Sequence, residues 1–574
     1  MKCKPWHRIF SSKRVFLAVI GWSTALTLLT IVFSAFVPYN MDEFIAYDTI
    51  VCYLFPNNFH GICDQWLLSL PGTTVYLPLK SYWYTGSIPV VWYLPLFFTW
   101  NSPVAVRLIG VAFLAASAWI LGKYFNIRFR YILALMLLCF PYAWHYFVDA
   151  GLTAAQMFSI YGCLHLSKCW IHEKKFKHIL GIGGIIFIGI WIKFTYFWLL
   201  PGILLMILLE LWNNRKALGT TADRNKLALQ SIVTSLLTLW IVLLFLHAQS
   251  ADGKYQNLDQ LSSAHIETFS ILEKKIPEGA TIIYRVLLNP LSAVKTVFLL
   301  PSSSANRYAW SNSLFSVLLY LFTPFFTLTL WGVLGIPLKK FFLANAYYLV
   351  FLLTVIVIAA TNRAYGMHHV ILAYPFLFIG IFSIVRVILD HVATIRRSPF
   401  ITDVLVLWVI AFFIVNAGLY LTAFRLPIRP DSDWSKQEIH RILARNHLQE
   451  KYVIVGLDWG VYFYQGLFAR RSQALWDGWR LNNKDNLKRM IERARSIDRK
   501  LLFIYTQPSL SNLEMIQATL DLKRCEGIEE TAVWQILAEP DEAFQSACGQ
   551  AIPNGGPNHL SPWARMLHRL SLIF

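Results

Sequence analysis

Charge is what this sequence has least of. Only 14% of its 574 residues are Asp, Glu, Lys or Arg, against 56% hydrophobic, whereas a soluble domain of ordinary composition is about a quarter charged. The shortage excludes a soluble enzyme for most of the chain. Acids are the scarcer sign: 32 Asp and Glu stand against 51 Lys and Arg, a net charge of +19. The cations fall in short clusters between apolar runs, the pattern of inward-facing membrane loops, so nucleic acid is set aside as the partner. A dinucleotide fingerprint is also missing, since Gly456-Leu-Asp-Trp-Gly460 lacks its glycine spacing and reads as a turn. None of the 8 Cys stands in a zinc-type grouping. The first apolar run, 16–37, has a basic flank in Lys2, Lys4, Arg8, Lys13 and Arg14 but no clear small-residue cleavage site. At about 22 residues it exceeds a signal-peptide core and reads as a retained span.

What is there is a series of apolar runs long enough to cross a bilayer. They cover 16–37, 104–121, 131–146, 150–166, 179–192, 197–212, 227–247, 314–334, 341–360, 370–389 and 404–424. One further run, 88–100, contains Pro89 and Pro95 and carries Trp92, Tyr93 and Trp100, whose amphipathic rings favour the interface. If it lies in the membrane plane, five cation clusters face inward. These are Lys123, Arg128 and Arg130; Lys168, Lys174, Lys175 and Lys177; Arg215, Lys216, Arg224 and Lys226; Lys339 and Lys340; and Arg386, Arg396 and Arg397. If it crosses, all of them face outward, against the positive-inside rule. The sequence therefore predicts about eleven spans, a cytoplasmic N-terminus and an in-plane helix before the second span.

This topology sorts the polar residues. Asp42, Glu43, Lys80, Arg107, Asp149, Arg363, His368 and His369 all fall at outer span ends or in the outer loops. Ionisable residues so placed face a cavity or a partner more often when they gather on one side, and eight of them argue for a site. Other outward cations, Lys193 among them, are isolated. A long outer loop, 248–313, has turn signals at Asp252-Gly253, Gly279 and Pro301 and is a candidate lid. Residues 1–424 form the expected membrane module, with a first outer loop at 38–103. From 425 to 574 the pattern changes to that of a soluble α/β domain on the outer face, with helices at 436–444, 486–494 and 511–520 and strands at 452–455, 501–505 and 531–537. Cys52 and Cys63 in the first outer loop, and Cys525 and Cys548 in the outer domain, are expected to pair as disulfides on an oxidising face.

The collected residues suit a transfer in which an acceptor hydroxyl attacks a sugar carbon and a phosphate departs. The hydroxyl needs a base, the role that fits Asp42. The departing phosphate needs cations or donors, roles that fit Lys80, Arg363, His368 and His369, with Tyr82 beside Lys80. Glu43 and Asp149 are placed to orient the donor sugar, while Arg107, opening the second span, fits a structural pairing with an acid of the first loop. Asp42 and Asp149 could also share a divalent metal, although a phosphate-monoester donor requires none.

An Asp-Glu pair after the first span, a Lys followed by an aromatic-rich in-plane helix, an Arg opening the second span and an Asp entering the fourth resemble the GT-C glycosyltransferases. The likeness is to the protein O-mannosyltransferase and aminoarabinose-transferase branch with its bacterial relatives, and Arg363-Ala-Tyr-Gly-Met-His-His369 resembles their outer-face segment near the lipid phosphate. The likeness is one of motif over about the first 170 residues and of layout beyond. The resemblance implies a GT-C-like polytopic α-helical membrane fold and an inverting transfer from a polyprenyl-phosphate sugar to a lipid, glycan or protein acceptor, with no cofactor required. It also implies Asp42 as base, Lys80 as phosphate ligand and Asp149 as second acid, in the inner membrane of a bacterium with the C-terminal domain periplasmic. Phe44-Ile-Ala-Tyr47 after the Asp-Glu pair and Ser81-Tyr82 after Lys80 depart from the common pattern, which leaves the substrate group open. The alternatives are a transporter or lipid flippase, for which matching halves are missing, and a non-catalytic subunit of a glycan assembly machine.

Overall fold

A computed structural model describes residues 59–60, 67–69, 76–78, 88–99, 103–129, 151–250, 337–361, 372–395, 447–457, 474–477, 484–505, 511–520, 522–524 and 535–539, with a few single residues between. The chain divides into two compact units, 1–34 with 104–424, and 35–103 with 425–574. The first outer loop, which the sequence groups with the spans, thus belongs with the C-terminal domain.

The first unit is a helix bundle. Its helices are α1 (Pro103–Phe125), α2 (Leu152–Glu173), α3 (Phe176–Ile192), α4 (Leu200–Asn213), α5 (Thr221–Ser250), α6 (Leu338–Thr361) and α7 (Tyr374–Ile395). Among the described residues, four stretches are long and apolar enough to cross a membrane: Ala105–Phe125, Phe194–Asn213, Thr221–Phe245 and Leu338–Ile358. With the shorter apolar helices Phe176–Ile192 and Tyr374–Ile384, they make this a helical membrane protein.

One buried helix carries a row of polar residues. α2 buries Thr153, Gln156, Ser159 and Ser167 together with Ile160, Tyr161, Leu164 and Trp170. A span surrounded by protein does not need the all-round hydrophobicity that lipid demands, and α2 reaches its neighbours through Gln156, bonded to the Lys193 carbonyl, and Trp170, bonded to Gln230 of α5. The apolar run ends at 166, yet the helix continues to Glu173 because Trp170 and Ile171 are still covered. α5 is the opposite case, exposing Leu229, Ile232, Leu236, Leu239, Trp240 and Leu243. Such faces suit contact with acyl chains.

Close packing is fixed by glycine at a few places. Gly151 has φ +74°, and a Cβ there would lie 2.8 Å from the backbone nitrogen of Gly110, so α1 and the start of α2 meet backbone to backbone. Gly189 leaves room for the Tyr196 ring, which a Cβ would approach within 2.5 Å. That ring closes the α3–α4 hairpin, whose connection is the extended residue Lys193 and a 3-10 turn, Phe194–Leu199.

In the second unit, the strands are β1 (Phe59–His60), β2 (Leu67–Ser69), β3 (Tyr76–Pro78), β4 (Tyr452–Gly456), β5 (Ala474–Asp477), β6 (Lys500–Tyr505), β7 (Lys523–Arg524) and β8 (Gln535–Ala538). Six form one sheet in the order β1-β5-β4-β6-β8-β7. Its first four strands are parallel neighbours, whereas β8 runs antiparallel to both β6 and β7. β2 and β3 pair separately as an antiparallel ladder. Helices α8 (Lys484–Ser496) and α9 (Ser511–Thr519) share a core with the sheet through Leu487, Ala494, Leu513 and Ile516 packed with Val453, Val455, Leu501 and Phe503. β1 comes from the 38–103 loop, and Phe59 and His60 register with Leu475 and Trp476.

The run at 88–100 contains a helix of 10 residues, Val90–Thr99, with Pro95 inside it. At about 1.5 Å per residue this reaches roughly 15 Å, half of a hydrocarbon core about 30 Å thick. Tyr93 is buried while Val91 is exposed.

Candidate functional site

Cations and buried polar groups mark the two ends of the bundle. At one end Lys168 of α2 donates to the Tyr124 carbonyl of α1 at 2.9 Å, with its ammonium 4.7 Å from the Tyr124 ring centroid. Lys168 is also close enough to Arg386 of α7 to feel its charge. Lys174 pairs with Asp223 of α5 at 2.8 Å. Glu173, beyond the apolar part of α2, accepts from Lys175 at 2.8 Å and lies 3.1 Å from His178. The hydrogen bonds from Lys175 and then His178 bring its carboxyl down to about 2. Buried beneath them, the Glu210 carboxylate of α4 accepts hydrogen bonds from the Tyr124 and Tyr347 hydroxyls of α1 and α6 and from Asn214. Trp119 under Lys123 and Trp212 near Arg215 add aromatic rings. The described members of the five predicted inward clusters therefore belong to the helix ends and hairpins of this one end.

Helix direction fixes what the opposite end contains. α1 begins there, with Arg107 buried; α2 begins there at Gly151, against Gly110; the α3–α4 hairpin turns there at Lys193. α6 and α7 run antiparallel, with the Tyr374 ring tilted against Phe351 and Gly380 against Tyr348, so Thr361 and Leu372 also mark this end. The segment bearing Arg363, His368 and His369 lies between those two residues in sequence, and Asp149 is two positions before Gly151.

Of the predicted site residues, Asp42, Glu43, Lys80, Tyr82, Asp149, Arg363, His368 and His369 lie outside the described residues, as do Cys52, Cys63, Cys525 and Cys548. So do the span at 131–146 apart from isolated positions, the spans at 314–334 and 404–424, and the candidate lid from residue 251 onward. Arg107 is described, and its side chain is one of the largest that the bundle buries fully. Cys163 and Cys169 carry free thiols. Among the described residues no group of His, Cys, Asp or Glu could hold a metal ion. The metal pair considered in the sequence, Asp42 and Asp149, is not among them.

Sequence reasoning passed over Lys193 and Gln156. Lys193 has the appearance of an isolated loop cation, yet it is buried, and its carbonyl accepts from Gln156 Nε2 at 3.1 Å. Ser159, one turn along α2, lies 2.6 Å from the Gln156 carbonyl and 2.8 Å from the Tyr196 hydroxyl. The available signal was the polar row Thr153, Gln156, Ser159 at helical spacing in an otherwise apolar span. In the second unit, a cavity of about 550 Å³ is lined by Glu450, Lys451, Arg495, Asp498, Lys500 and Asp541. It lies by the first residues of β4 and β6, whereas ligands of parallel sheets gather at the carboxyl ends of strands.

No protein-family model matches the chain, and no curated protein matches it. Solved structures similar to it include ArnT from Cupriavidus metallidurans bound to undecaprenyl phosphate, at 11% identity over 91% of this chain and 99% of that one, with a TM-score of 0.49. The apo state of ArnT from the same organism is similar at 12% identity over 91% of this chain and 100% of that one, with a TM-score of 0.37. At such identities and scores the likeness assigns neither family nor activity to this chain.

Proposed function

We propose that this protein is an integral-membrane glycosyltransferase of GT-C type, moving a sugar from a polyprenyl-monophosphate donor to an acceptor at the outer face, with inversion and with Asp42 as the base. The observation that carries this reading is the sorting of charge in the bundle. The cation-rich end matches the cytoplasmic side by the positive-inside rule. The opposite end, where Arg107 and Lys193 are buried, is then the outer one, and the loops bearing Asp149, Arg363, His368 and His369 leave from it.

Parity supports the same arrangement. Phe59–His60 and Ala474–Asp477 share a sheet and so lie on one side of the membrane. Ten predicted spans, the eleven less the first, separate them if 88–100 stays in plane. An even number returns the chain to its starting side; an eleventh crossing would not. The short Val90–Thr99 helix agrees with this.

In the proposed reaction Asp42 takes the proton of the acceptor hydroxyl as that oxygen attacks the anomeric carbon. Lys80 and the Arg363–His369 segment meet the phosphate that leaves. Glu43, Tyr82 and Asp149 orient the donor. The test uses cells lacking the gene, complemented with wild type or Asp42→Asn. Envelope lipids and glycans are compared by mass spectrometry, and membrane levels of the protein are measured in parallel. The wild type restores a glycosylated product; Asp42→Asn, present at normal level, loses a hundredfold or more of it, as removal of a general base does. Near-normal product from Asp42→Asn would overturn the base assignment.

A further inference from the structure

At the cation-rich end of the bundle, two lysines differ from their neighbours. Lys174 pairs with Asp223 and Lys175 with Glu173, each at 2.8 Å. Among the described residues, Lys168 and Lys123 make no ion pair. The Lys168 ammonium of α2 gives one of its three N–H donors to the Tyr124 carbonyl at 2.9 Å and stands 4.7 Å from the Tyr124 ring centroid. Lys123, the residue before Tyr124 on α1, lies 3.6 Å from the Trp119 ring centroid. Both ammonium groups are close enough to the His165 ring of α2 for their charges to act on it, so they converge on one place from two helices. Arg386 of α7 adds a third positive charge beside Lys168. The acid that reaches Lys168 is Glu210, which is already held by the Tyr124 and Tyr347 hydroxyls and can offset one of the three. The positive-inside rule accounts for cations on this side, but not for lysines of two helices held near one another without an acid between them. The surroundings are those of a membrane interface. Trp119 is 49% exposed and Phe129, just past α1, is 48% exposed, and aromatic rings at a span end sit at headgroup depth. Ala112, Trp119, Lys123 and Asn126 are exposed at helical spacing and form one stripe along α1.

We propose that Lys123 and Lys168, with Trp119 between lipid and headgroup, form a binding site for an anionic phospholipid at the cation-rich end of the bundle. The site lies at the end opposite to the proposed transfer reaction and does not depend on it. The two ammonium groups donate to the oxygens of the lipid phosphate, a charge-assisted contact, and basic pockets between helix ends on the cytoplasmic side are suited to such headgroups. The α1 stripe through Trp119 and Ala112 offers the acyl chain an apolar path away from the lysines. A soluble phosphate would use the cations and leave that stripe without a role, so the combination favours a lipid.

The test measures binding of phosphatidylglycerol and of phosphatidylcholine with the same acyl chains to the full-length protein in detergent, by native mass spectrometry. The variants are Lys123→Gln with Lys168→Gln, and, as a control that removes equal charge at the same end, Lys339→Gln with Lys340→Gln. The wild type is expected to prefer phosphatidylglycerol. Loss of Lys123 and Lys168 is expected to weaken that lipid about tenfold to thirtyfold and to leave phosphatidylcholine unchanged. The control is expected to change either lipid less than about threefold, because exposed charges beyond a screening length contribute little. Lys168→Arg, which keeps the charge, should bind nearly as wild type. Equal losses in the two double variants would mean a diffuse charge effect and overturn the site. So would a wild type without preference between the lipids, or a parallel loss of phosphatidylcholine, which marks lysines with a purely structural role. Displacement of phosphatidylglycerol by millimolar glycerol phosphate would assign the cations to a soluble anion and overturn the lipid assignment. If the double variant does not fold, Lys123→Gln alone decides: the residue is exposed, its loss is expected to weaken phosphatidylglycerol about fivefold, and unchanged binding overturns the proposal.

Discussion

At the scale of single residues, the bundle depends on places where one atom too many cannot be accommodated. Gly151 combines a left-handed backbone with a contact that a Cβ would make at 2.8 Å to backbone of Gly110. Neither neighbour is a flexible side chain able to move aside. Gly151→Ala is therefore expected to cost on the order of 1–3 kcal/mol, from backbone strain and from prying α1 off α2. A thermal-shift measurement on the detergent-solubilised protein would show the lowered midpoint. Gly184→Ala is the control, since a Cβ there meets nothing within 4 Å; if both variants melt alike, the α1–α2 contact does not carry this stability. The sequence marked neither glycine. A glycine needed for close approach looks like any other until its neighbour is known, and Lys193 was passed over for the same reason.

At the scale of elements, most helices were legible because lipid-facing helices must be apolar. The runs at 104–121, 227–247 and 341–360 lie within α1, α5 and α6. Ends were less legible: α2 runs seven residues past its apolar stretch because buried neighbours replace lipid. The strands Tyr452–Gly456 and Lys500–Tyr505 could be read from their short apolar runs, whereas β5 holds just Ala-Leu-Trp-Asp and β1 two residues, too few for a pattern. The Val90–Thr99 helix decides the orientation of everything after it, and this yields an element-scale prediction. Arg128, exposed in the hairpin after α1, is expected on the cytoplasmic side. A cysteine replacing it should resist a membrane-impermeant thiol reagent in intact cells and react once the membrane is opened. Labelling in intact cells would mean that 88–100 crosses, and the outer site would come apart.

At the scale of the whole molecule, the pairing of β1 with β5 is the feature that pattern reading could least supply, since it joins positions more than 400 residues apart. Its consequence reaches beyond the sheet. The loop that carries Asp42, Glu43 and Lys80 falls in the same compact unit as residues 425–574, so that domain has a direct structural link to the segment proposed to do the chemistry. A domain that merely followed the last span would have none. Cysteines placed at Phe59 and Leu475, which are register partners on adjacent parallel strands, fall in the range of strand separation that a disulfide can bridge. Oxidation should cross-link them, and a protease cut between 100 and 440 should then leave the two ends joined without reductant and separated with it. Pairing Phe59 with a cysteine at Lys488, on the helix α8 away from β1, should give far less product. If the Phe59 and Leu475 pair fails to cross-link while the protein is folded, the outer loop is not part of the sheet, and the parity argument for an in-plane 88–100 loses its footing.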